Sequence, residues 1–140
     1  EVGDGFHSIY TSATAPGLIT DVLYFPASYI AANGKTVEAI INGYLDGLKY
    51  LKENPDDAYA IVAKYFATTI EDVKEQAKGV YNVPMAEWAG YFGPRNDAKS
   101  FYTTGALIAE ILVQRGQIKA APKIEDTYTK VFVDKLASAK

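Results

Sequence analysis

Beyond residue 36 the apolar residues of this chain recur at helical spacing, and the strand-like runs fall within the first 25 residues. That imbalance constrains the fold most, because a lone pair of strands is marginal in water unless other elements cover it. The first run, Phe6 to Ser12, carries Phe6, Ile9, Tyr10 and Thr11, which suit a pleated surface. The second, Val22-Leu23-Tyr24-Phe25, is continuous, apolar and closed by Pro26. Such runs are typical of strands buried on both faces of a parallel or mixed sheet, although periodicity does not separate them from buried helix. Gly3-Asp4-Gly5 has turn composition, and Pro16-Gly17 between the two runs suits a type II turn. A strand of the second kind wants neighbours on both sides. The simplest reading is that they belong to sequence lying outside this chain, which would then be the C-terminal part of a larger α/β protein. The opening Glu1-Val2-Gly3-Asp4, without an initiator Met or a basic-then-apolar signal segment, agrees with a processed product or a part of something longer.

The helical remainder has clear punctuation. Ser28 to Ala32 predicts one short helical turn, ended by Asn33-Gly34. Val37, Ile40, Ile41, Tyr44, Leu45, Leu48 and Leu51 then form one apolar stripe from about Thr36 to Glu53. Asn54-Pro55 stops that helix and starts the next, with Asn54 as N-cap, Pro55 at the first helical position, and Asp56 and Asp57 at the positive end of the dipole. Ala58, Ile61, Val62, Tyr65 and Phe66 are its expected buried face. A third helix is expected to begin at Thr68 or Thr69, where Thr68 and Glu71 have capping-box spacing, with Ile70, Val73 and Ala77 inward and Gly79 as a stop. Met85 to Tyr91 predicts a short helix carrying Trp88, flanked by Pro84, Gly90, Gly93 and Pro94. Phe101, Gly105, Ile108, Ile111 and Leu112 set a long helix ending at Gly116, and Val131, Phe132 and Leu136 a short last one.

Composition removes several classes of function. Fourteen Lys and Arg against seventeen Asp and Glu give a net charge of −3, with no basic run of the kind that nucleic-acid binding calls for. No cysteine is present and His7 is the single histidine, so thiolate metal sites, thiol nucleophiles and multi-histidine centres are excluded. No apolar run approaches the roughly 20 residues of a membrane span. Gly3-Asp4-Gly5 lacks the following Gly-Lys-Ser/Thr of a phosphate loop. His7 has no acidic or nucleophilic pattern around it, and a general base needs a partner within hydrogen-bond reach. The eleven tyrosines and six phenylalanines could line a cleft, but filling a core explains them more simply. These observations lead us to expect no metal, no cofactor and no catalysis.

Asp21 is the more informative polar residue. It directly precedes the apolar run, and a carboxylate at a strand end is costly to bury unless a cation or hydrogen-bond donors meet it. An exposed or capping aspartate is the plain reading; a cleft residue receiving a polar or cationic ligand group is the functional one. Thr20 beside it, and Thr11 and Ser12 at the end of the first run, supply hydroxyls that serve turns at least as readily as ligands. The candidate ligand-binding residues are therefore Asp21, Thr20, Ser12 and Thr11.

The order of motifs resembles a known family. Tyr10-Thr11-Ser12 followed by Ala15-Pro16-Gly17-Leu18-Ile19-Thr20-Asp21-Val22-Leu23 is similar to the return segment of ABC-transporter substrate-binding proteins of the nitrate/sulfonate/taurine (NitT/TauT) class. Tyr50 to Lys64, with Asn54-Pro55-Asp56 and an Ala-rich helix after it, resembles the family's next run, and Thr69-Ile70-Glu71-Asp72-Val73 its following helix start. Phe92-Gly93-Pro94 and Leu112 to Lys119 followed by Pro122 resemble its closing helix and tail. The resemblance implies a helix-rich α/β chain, the C-terminal part of a two-lobed, type II periplasmic-binding-protein-like fold. Residues 1–25 would hold the last strand of the second lobe, the hinge return and the first strand back in the first lobe. Residues 26–140 would be the helical C-terminal part of that lobe. It further implies a non-enzymatic, periplasmic or lipid-anchored protein capturing a small anionic or zwitterionic solute. Its partners would be that solute, an ABC permease and the N-terminal part of the same protein, with no nucleic acid. Two alternatives stand beside it: a helical protein-interaction module, and a fragment of an enzyme like the thiamine-precursor synthases, whose histidine- and cysteine-bearing segments are not visible in this sequence.

Overall fold

The computed structural model describes residues 5–14, 19–93 and 99–138. The described residues are helix-rich. Six α-helices run Ala27–Glu53 (α1), Pro55–Phe66 (α2), Ile70–Ala77 (α3), Met85–Tyr91 (α4), Phe101–Gln114 (α5) and Val131–Ser138 (α6), with short 3-10 turns at Ser12–Thr14 and Ile124–Asp126. They fall into two compact units, one spanning Tyr24–Val83 and the other Glu1–Leu23 together with Pro84–Lys140.

In the Tyr24–Val83 unit, α1 packs on α2 and α2 on α3. The short turn and the long helix expected on either side of Asn33-Gly34 are one element with a kink at Asn33 (φ −130°, ψ 32°). The Asn33 amide donates to the Tyr29 carbonyl at 3.2 Å, so a side chain serves that carbonyl where the helix bends. Asn54 joins two helices: its N–H closes α1 on the Tyr50 carbonyl at 2.7 Å, and Pro55 follows as the first residue of α2. Asn54 stands at the expected N-cap position of α2, but its side chain makes no capping bond. α2 ends in a Schellman pattern, with Thr68 N–H on the Ala63 carbonyl at 3.0 Å and Ala67 N–H on that of Lys64 at 3.4 Å. Ala67 sits there at φ 51°, where glycine is the usual residue. Thr69 is the N-cap of α3 and accepts from Asp72 N–H at 3.1 Å, so the capping pair lies one residue later than the Thr68–Glu71 spacing suggested.

The buried residues of this unit are small. Val37, Ala58, Ala63 and Val73 are buried, whereas Ile61, Val62, Tyr65 and Phe66 are exposed, the last two at 82% and 69%. The face expected for α2 is therefore corrected: only Ala58 of the expected set is buried.

In the other unit α4 packs on α6, and α5 on the Ile124–Asp126 turn. Ser100, wholly buried, caps α5: its hydroxyl donates to the Gly93 carbonyl at 2.5 Å and accepts from Thr103 N–H at 3.4 Å. Gly116 (φ 68°) ends the helix as expected, with Gln117 N–H on the Leu112 carbonyl and Gly116 N–H on that of Val113, both at 2.9 Å.

The strands expected at Phe6 to Ser12 and at Val22 to Phe25 are not formed, and no strand occurs among the described residues. A strand exists through its ladder of inter-strand hydrogen bonds, and neither run meets a partner there. Ile9 is 91% exposed and Val22, Leu23 and Tyr24 are 55%, 60% and 86% exposed. The turns expected at Gly3-Asp4 and Pro16-Gly17, and Pro94, lie outside the described residues.

Candidate functional site

The four sequence candidates occupy two exposed places. Thr11 and Ser12 begin the Ser12–Thr14 turn, whose fold is set by Thr14: its N–H and its hydroxyl both donate to the Thr11 carbonyl, at 3.1 and 2.8 Å. This is the hydroxyl-to-backbone bonding that serine and threonine bring to turns. Thr20 and Asp21 stand on the irregular stretch that leads to Pro26 and α1, both exposed. Residues 15–18, which connect the two pairs, lie outside the described residues, so each pair is placed by itself. His7 is exposed on the first run.

Sequence reasoning missed a second feature, an apolar groove of about 220 Å³ along α5. Phe101, Gly105, Ile108 and Leu112 form its helical side, and Ile118, Pro122 and Ile124 line it from the following segment. Three interactions hold that segment against the helix. Ile124 is buried, with Gly105 offering it a surface without a side chain: a Cβ there would meet Ile124 Cδ1 and Cγ2 at 3.6 Å. Tyr102 donates a hydrogen bond to Glu125. Tyr128 stacks its ring among Phe92 and Phe101, with centroids 5.4 and 5.6 Å away, and donates to the Phe92 carbonyl at 3.0 Å. The only sequence signal for the groove was Gly105, an isolated glycine inside an apolar helical pattern.

The electrostatics of this region follow from the Tyr102–Glu125 bond. Donation by Tyr102 holds the Glu125 carboxyl below its usual range, and the same bond pushes the Tyr102 phenol up. Thr127, at the edge of the groove, has its hydroxyl on the Ile124 carbonyl at 2.7 Å. The groove surface is hydrocarbon, suited to burying an aliphatic or aromatic group, and carries no acid–base pair. Among the described residues no group of three or more His, Asp or Glu side chains is placed to hold a metal ion. Among the described residues no helix is long and apolar enough to cross a membrane.

No protein-family model matches the chain, and no curated protein or solved structure matches it significantly.

Proposed function

We propose that this chain is the C-terminal part of the solute-binding component of an ABC importer of the NitT/TauT class. In this reading it is an extracytoplasmic, non-enzymatic protein whose partners are a small anionic or zwitterionic solute, the permease and the N-terminal part of the same protein. The observation that carries it is the stretch Ile19 to Tyr24. Ile19, Val22, Leu23 and Tyr24 are all more than half exposed, and they lie in the segment whose motif order resembles the family's hinge return. An exposed apolar run of this kind calls for a cover, and the sheet of a larger α/β body would supply one. The outward large residues Leu107, Ile108 and Ile111 of α5, on a helix with Glu110 as its one charge, support the same reading, since a helix apolar around most of its circumference belongs inside a larger body.

Asp21 and Thr20 are the proposed ligand contacts from this stretch, with Thr11 and Ser12 from the end of the first run. A carboxylate favours a solute with an ammonium or hydroxyl donor over a purely anionic one. The test uses the protein extended by its preceding sequence, titrated by calorimetry with taurine, an alkanesulfonate and nitrate. Asp21→Asn removes a charge-assisted contact of about 1.5–3 kcal/mol, so affinity for the bound solute should fall ten-fold or more. No heat with any of the three solutes would sink the class assignment, and unchanged affinity in the variant would remove Asp21 from the site.

A helical protein-interaction module is the second reading, favoured by the lack of any strand among the described residues. If the extended protein pairs residues 19–25 into a sheet, seen as slowed amide exchange there, this reading fails.

A further inference from the structure

We draw no further inference here: the strongest candidate, the apolar groove between α5 and the segment from Ile118 to Thr127 with the outward face of Leu107, Ile108 and Ile111 beside it, is an unpartnered apolar surface, and nothing in the structure shows what covers it.

Discussion

The Tyr128 hydroxyl donates to the Phe92 carbonyl at 3.0 Å, fastening two residues 36 positions apart. The same ring lies edge-on to Phe101 and tilted against Phe92, so one side chain ties the end of α4 and the start of α5 to the segment before α6. Removing the hydroxyl alone separates the two contributions. Tyr128→Phe keeps the ring contacts and leaves a partly buried carbonyl without this donor, at a cost of about 1 kcal/mol. Tyr128→Ala removes the rings' contacts as well and should cost about 3 kcal/mol or more. Urea unfolding of the two variants checks the order; equal losses would mean that the hydrogen bond carries the whole effect.

Ala67 holds a left-handed conformation (φ 51°) that costs an L-residue about 1–2 kcal/mol. Ala67→Gly should therefore raise stability by about 1 kcal/mol, although glycine normally weakens a helical segment. Thermal unfolding of the chain would show the gain. A loss would mean that the end of α2 does not take the Schellman form.

Gly105 calls for the opposite exchange. A Cβ at this position meets Ile124 at 3.6 Å and Phe101 Cε1 at 3.9 Å, both ordinary van der Waals distances. Gly105→Ala should stabilise by up to about 1 kcal/mol through helix propensity, with the groove slightly filled. A bulkier Gly105→Leu would displace Ile124 and should destabilise. Denaturation midpoints of the pair test the sign of each.

Acid weakens two local devices. Asp72 titrates below the usual aspartate range because the Thr69 hydroxyl, first, and then the Thr68 hydroxyl, 2.9 Å from Asp72 Oδ2, support its charged form. Glu125 is lowered by Tyr102. A depressed carboxyl contributes stability that is present above its unfolded pKa, about 4, and lost as the pH falls through the folded value. Tyr102 works from the other side: its phenol is raised, so its contribution is complete below about pH 10 and lost as the pH rises through the folded pKa. Carboxyl titrations followed by NMR should show Asp72 moving up toward the ordinary range in Thr69→Ala, and Glu125 doing so in Tyr102→Phe. Unmoved titrations would remove the two hydroxyl donors as the cause.

Most helix boundaries were legible because their causes are local. Pro55 starts α2, Gly116 ends α5, Asn33-Gly34 marks the break in α1 and the threonines before Ile70 mark the start of α3, each through bonds within a few residues. Register was less secure: Thr68 and Thr69 both offer a hydroxyl, and only the backbone of Asp72 selects Thr69 as the cap. The proposed ligand contacts were nominated from residue type and order, and residues distant in sequence decide whether they form a site.

The amino-acid sequence by itself determined where helices form and stop, since hydrogen bonds in an α-helix join residues four apart and need nothing from elsewhere. Val37 and Val73 are buried as their spacing predicts, but which face α2 and α5 bury was decided by tertiary structure. Periodicity assigned Ala58, Ile61, Val62, Tyr65 and Phe66 to the interior of α2; of these only Ala58 is buried, together with Ala63, which the pattern did not single out. In α5 it pointed to Ile108 and Ile111, while Thr104 and Ala109 are the buried residues. Strand formation at Val22 to Phe25 belongs to the same class: its pattern is apolar enough for a sheet, but a ladder needs a second chain segment at hydrogen-bonding distance, and no local spacing can supply one.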